Sequence, residues 1–221
     1  MRLTTGVVTA LVGLLVSGVG MTPAVEAGQG GVTFELGEGT KARYRVEERL
    51  VGVDFGNEAV GTTEAVTGKI VLKADGSVDA AQSNITVDMR TFESDQSLRD
   101  QYVGGVVLQT QEFPMLEFVP NRAEGLPHPL PEGTPFEQNP AITIPSAVGF
   151  DLIGDVTMHG VTSEVTWRVV ATLLPDAAAG RATASVTFDT FGLTKPVIPL
   201  LASAEDTINL EIEFRATRSG M

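Results

Sequence analysis

The sequence predicts an all-β fold, a single closed antiparallel barrel of about eight strands. From Thr40 on, apolar and polar residues alternate with a period of two, the spacing of a strand with one buried face. No long segment carries the 3.6-residue period of an amphipathic helix. Each strand therefore has an apolar face and no helical layer to cover it, so the sheet covers itself by closing. A two-sheet sandwich is the alternative that the same alternation allows.

The first 27 residues read as an export signal. Arg2 supplies a positive start, Val7–Met21 an apolar run, and Val25-Glu26-Ala27 a cleavage site before Gly28. The run is shorter than the roughly 20 residues that span a bilayer. Cleavage after Ala27 leaves residues 28–221 as one domain, periplasmic or secreted. With no cysteine, no lipid can be attached at the cut and no disulfide is available, so core burial alone stabilises the domain.

The strands follow in order. "TKARYRVEERL" sets Ala42, Tyr44 and Val46 against Lys41, Arg43, Arg45 and Glu47. "GKIVLKADGSVDAAQSNITVDMRTF" reads as two strands joined at Asp75-Gly76, a strong hairpin dipeptide, with Ile85, Val87 and Met89 on one face of the second. "MLEFVP" pairs Leu116 with Phe118, and "FDLIGDVTMHG" brings Phe150, Leu152, Val156 and Met158 together. "EVTWRVVATLL" aligns Val165, Trp167, Val169 and Ala171, and "RATASVTFDTFGL" is a further strand. "TINLEIEFRATR" places Ile208, Leu210, Ile212 and Phe214 inward, with Asn209, Glu211, Glu213 and Arg215 outward.

Two segments break the rhythm. Glu93–Val103 forms a helical turn with Ser94 or Asp95 as N-cap. Pro120–Pro145 holds seven of the twelve prolines and is expected as a long surface loop outside the central sheet, because proline lacks the ladder donor. A stiff loop without a role is the favoured reading, and a cover over one barrel end is the alternative.

The formal charge of −13, with no cluster of Lys and Arg, excludes nucleic acid and anionic lipid surfaces as partners. No Gly-x-Ser-x-Gly turn, phosphate loop or metal-ligand spacing is present, and no metal or organic cofactor is implied. "DGSVD" at Asp75–Asp79 lacks the later residues of a calcium loop, and Asn84-Ile85-Thr86 matches a glycosylation acceptor without further support. His128 and His159 are the only imidazoles, and nothing in their spacing supports a shared zinc site. Two hairpin registers compete around His159. A turn at His159-Gly160 opposes Asp155 to Glu164. A turn at Thr162-Ser163 pairs Met158 with Trp167 and Val156 with Val169, sets His159 on the outer face, and is preferred.

"GDVTMHGVTSEVTW" resembles the signature hairpin of the YceI-like family, of type G-D-L-T-I-H-G-V-T-x-x-V-T. "TKARYRVEERL", "AVGTTEAVTGKIVL", "ITVDMRTFESDQSLRDQY" with Arg99-Asp100, "EFPMLEFVP" and "FGLTKPVIPLLASAEDTINLEIEF" resemble further family segments in order. The resemblance implies a lipocalin-like exported barrel that is not an enzyme and binds polyisoprenoids or other long-chain amphiphiles in an apolar channel. The chain departs from the family pattern at Tyr102, where many members have histidine, at Asp189, and in the longer Pro120–Pro145 segment.

The residues themselves agree with a hydrocarbon lining. Expected at the ligand are Tyr44, Phe92, Leu98, Tyr102, Phe113, Phe118, Phe150, Leu152, Val156, Met158, Trp167, Phe188 and Phe214, which either line a channel or fill the barrel as core. The leading expectation is a carrier for a long-chain lipid, such as a polyisoprenoid, an isoprenoid quinone or a fatty acid or amide. Two rivals stand beside it. One is a lipid-modifying or isomerase-type enzyme using His159, Asp155 or Arg99 at the barrel mouth. The other is a protein-binding module that uses the proline-rich loop.

Overall fold

The computed structural model describes residues 31–52, 56–136, 139–197 and 201–220, so the export signal lies outside the described residues. Eight strands form the barrel: β1 (Val32–Leu36), β4 (Val66–Leu72), β5 (Asn84–Asp88), β6 (Met115–Glu124), β9 (Ser146–Met158), β10 (Val161–Leu173), β11 (Ala177–Thr187) and β13 (Thr207–Ser219). They pair antiparallel in that order, and β13 pairs back onto β1, which closes the ring and excludes the sandwich. The expected alternation governs each wall. In β10, Val165, Trp167, Val169, Ala171 and Leu173 are buried, while Thr166, Arg168, Val170 and Thr172 are exposed.

β2 (Lys41–Leu50), β3 (Asn57–Thr63) and β12 (Leu201–Ala204) extend the same sheet downward. β13 pairs with β1 through Ala216–Ser219 and with β2 through Asn209–Glu213. Between the two, the Arg215 carbonyl accepts from the Gly37 amide at 2.8 Å and from the buried Thr40 hydroxyl at 3.2 Å. The chain thus bulges at Gly37–Thr40 and resumes along the same neighbour. On the outer face Arg43 ties β2 to β13, its guanidinium reaching Glu211 at 2.6 Å and Glu213 at 3.1 Å.

The turn after β9 corrects the preferred register. Met158 pairs with Val161, Val156 with Ser163 and Asp155 with Glu164, so His159-Gly160 is the two-residue turn. Both residues have positive φ, +52° and +74°, as a type I′ hairpin requires. The opposed carboxylates that argued against this register are answered by β6. Its Arg122 reaches Glu164 at 3.0 Å and its Asn121 donates to Asp155 at 3.0 Å. His159 consequently does not sit on the outer face of a strand. Its ring lies at the turn, 4.6 Å from that of Phe113, with Nδ1 3.3 Å from the Phe191 carbonyl.

The proline-rich segment is also corrected. Pro120 is buried inside β6, paired with Gly154, and Asn121 bulges before Arg122 pairs with Ile153. The strand tolerates the ring for two reasons: β5 stops pairing at Phe118, and a Cβ on Gly154 would meet the Pro120 Cα at 2.6 Å, space that glycine leaves free. After residues 125–133 a short hairpin forms from β7 (Thr134–Phe136) and β8 (Asn139–Ile144), apart from the barrel sheet.

The expected helical turn is α1 (Ser97–Tyr102), continued by a π-turn over Val103–Val107. Its N-cap is Gln96 rather than Ser94 or Asp95. Ser94 is instead held by its amide to the Asp100 carboxylate at 2.9 Å. Arg99 pairs with Glu48 at 3.0 Å and with Asp95, which turns that side of α1 toward β2. Leu98, expected inward, is consequently 78% exposed.

Candidate functional site

The barrel interior divides into two halves. Toward the His159 turn it is packed solid: Val156 and Phe191 have no exposed surface, and Met158, Val165, Val186, Phe188 and Ile208 are buried around them. Toward the opposite end, near the turn after β10, it holds a cavity of about 880 Å³ free of atoms, counting the part that meets solvent. The space is narrow.

Every residue lining the cavity is apolar. One wall is bulky, with Phe34, Ile70, Ile85, Phe118 and Phe150. The facing strands β10, β11 and β13 contribute Ala171, Ala178, Ala182 and Ala216, whose short side chains leave the space open. Leu126 and Leu130, from the connection after β6, close over the end. This connection is therefore part of the cavity wall and not the roleless loop favoured from sequence. Its His128 rests against the Asp75-Gly76 turn, where a Cβ on Gly76 would meet the imidazole Nδ1 at 2.7 Å.

Of the thirteen residues expected at the ligand, Phe118, Phe150, Leu152, Trp167 and Phe214 line the cavity. Val156, Met158 and Phe188 fill the packed half. Tyr44 and Phe92 pack on each other with ring centroids 5.3 Å apart, and Tyr102 packs beside the core, all outside the cavity wall. Phe113 covers the His159-Gly160 turn. The alanines, Leu126 and Leu130 were not singled out. Ala171 was aligned inward with Trp167, and the same parity along β11 picks out Ala178 and Ala182.

The acid–base candidates are not brought together. His159 lies at the packed end, Asp155 faces outward to Asn121, and Arg99 is ion-paired with Glu48. His128 and His159 lie at opposite ends of the barrel, and among the described residues no group of three His, Asp or Glu could hold a metal. Among the described residues, no helix is long and apolar enough to cross a membrane.

Burial, reinforced by the Asp100 charge, pushes the Tyr44 phenol up to about 12. Its ring lies across Gly61, where a Cβ would come within 2.2 Å of it. A folded value above the ordinary one of about 10 stabilises the fold below pH 10, and this contribution is lost as pH rises through 12. The loss is expected to be about 3 kcal/mol. The chain has two tyrosines, so tyrosinate absorbance of the Tyr102→Phe variant isolates Tyr44. Its midpoint should fall near 12; an ordinary phenol midpoint would place the ring in water.

Comparison with known proteins gives the following. The family model of the YceI-like domain matches residues 38–216. No curated protein matches the chain. The fold is similar to that of a polyisoprenoid binding domain from Saccharophagus degradans implicated in plant cell wall breakdown. The TM-score is 0.58 with 7% identity, covering 85% of this chain and 98% of that one. It is also similar to BcnA of Burkholderia cenocepacia, with a TM-score of 0.54 and 14% identity, covering 80% of this chain and 96% of that one. At these identities the two likenesses bear on the fold alone.

Proposed function

The chain belongs to the YceI-like domain family, and from that premise we propose that its barrel holds one long-chain amphiphile as an exported, non-catalytic carrier. The ligand class is a polyisoprenoid, an isoprenoid quinone or a fatty acid or amide. The observation that carries this reading is the narrow cavity whose every lining residue is apolar. Apart from the unpartnered indole N–H of Trp167, such walls offer no hydrogen bonds to a sugar or nucleotide, most of whose polar groups would be buried unpaired. A hydrocarbon gains about 0.8 kcal/mol per buried methylene, against about 4–15 kcal/mol lost on association, so binding needs on the order of ten buried carbons. A protein of the same fold is a polyisoprenoid binding domain, one member of this class. The sequence of residues 1–27 supports export, which would place the carrier outside the cytoplasm.

Native mass spectrometry of the protein purified from exporting cells tests the reading. It should show added mass that appears as a long-chain lipid in the organic extract. A second measurement uses Trp167, the only tryptophan and a lining residue. A brominated long-chain acid should quench its fluorescence saturably. A bare-chain mass together with no quenching would refute the carrier.

A further inference from the structure

The site of the ligand's polar end follows from one charged residue inside the barrel. β13 alternates to its end, which puts Arg218 on the face of Ile212, Phe214 and Ala216, all three in the cavity wall. Arg218 is only 7% exposed. Directly opposite it on β1 stands Phe34, another lining residue. Its Nη1 donates to the carbonyls of Pro131 at 3.2 Å and Leu174 at 3.1 Å, the neighbours of the lining residues Leu130 and Leu173. Arg218 is not itself part of the cavity lining; its guanidinium lies just beyond the end of the cavity, against the connection after β6.

Among the described residues nothing compensates the charge, and no ion pair includes Arg218. Its Nε is buried and has no hydrogen-bond partner. Arginine does not shed its proton when buried, and neutral carbonyls offset only part of the desolvation of a cation. With Nη1 occupied, the edge that carries Nε remains, one of the edges at which a guanidinium takes an oxyanion through two parallel bonds.

We propose that Arg218 receives the oxyanion of an acidic headgroup, a carboxylate or a phosphate, whose hydrocarbon chain runs down the cavity. This rests on the carrier reading and narrows it to acidic amphiphiles. A headgroup without charge leaves the buried cation unpaired. A small free anion gains nothing from the apolar walls.

Delipidated full-length protein, titrated with oleate, oleyl phosphate, oleyl alcohol, acetate and inorganic phosphate, tests the assignment. Wild type should bind oleate and oleyl phosphate at least about tenfold more tightly than oleyl alcohol, and acetate and inorganic phosphate not measurably. Arg218→Gln should bind the acids no better than the alcohol, at the alcohol affinity of wild type, while Arg218→Lys should keep part of the preference. The wild-type comparison needs no variant and decides even where a variant fails to fold. Equal affinity of wild type for acid and alcohol would overturn the assignment. Parallel loss of acid and alcohol in Arg218→Gln would reduce the residue to a tie between Pro131 and Leu174. Tight binding of acetate or inorganic phosphate would make the site one for free anions. Failure of every chain, acid and alcohol alike, would instead remove the carrier reading itself.

Discussion

Phe191→Ala lowers the unfolding free energy by about 3–5 kcal/mol in urea titrations, whereas Phe214→Ala costs less than half as much. The two phenylalanines differ in what surrounds them. Phe191 has no exposed surface and ends the short 3₁₀ turn Asp189–Phe191 after β11, which closes the packed end of the barrel. Gly192, at φ +62°, then reverses the chain, and the Leu193 amide returns to the Phe188 carbonyl at 2.9 Å. Removing that ring leaves a void that this tied turn cannot collapse to fill, so both the transfer and the cavity contributions are felt. Phe214 is half-buried and already borders the cavity. Its truncation enlarges an existing space and gives up fewer contacts. Long-chain uptake should change only a few-fold in Phe191→Ala, because the cavity lies in the other half. Equal costs for the two variants would show that both halves are packed alike in solution, and the cavity would lose its standing as a site.

The distinction between the halves marks how much of the molecule can be read from residues alone. Period-two alternation carried the eight-strand barrel, because every strand is buried on one face and the pattern repeats wherever that holds. Face is a weaker quantity than depth, however. Val156 and Leu152 share a face and a strand, yet the first fills the packed half and the second lines the cavity. What separates them is how far along the barrel each stands and what the neighbouring strands contribute there. The His159 register failed for a related reason. A hairpin viewed as two strands shows Asp155 facing Glu164, but the compensating Arg122 and Asn121 arrive from a third strand through a bulge next to Pro120. Leu98 was misplaced because alternation has no meaning inside a helical turn, where the ion pairs of Arg99 set the phase. Arg218, by contrast, was within reach. Alternation continued two pairs past Phe214 puts an arginine on an apolar face, and a buried charge without a partner is where a polar function is sought.

The alanine wall gives a second large effect, in affinity rather than stability. The double variant Ala178→Leu/Ala182→Leu should lose long-chain binding by on the order of 100-fold, since excluding about four methylenes costs about 3 kcal/mol. Its unfolding free energy should stay within about 1.5 kcal/mol of wild type, because the added carbons enter open space in place of an overpacked core. Ala178 pairs with Ala216 and Leu173, and Ala182 with Val169 and Ile212, so both new side chains project among cavity residues. The control stands one pair further along the same face. Ala184 pairs with Leu210, is buried, and lies outside the cavity wall. Ala184→Leu should therefore do the opposite, destabilising by about 1–3 kcal/mol through overpacking while leaving the affinity close to wild type. Brominated-chain quenching of Trp167 and urea unfolding measure both quantities on each variant. If Ala178→Leu/Ala182→Leu bound as tightly as wild type, the chain would have to lie elsewhere than along β10, β11 and β13. If Ala184→Leu weakened binding as much as the double variant, the boundary between the cavity and the packed half would be drawn in the wrong place.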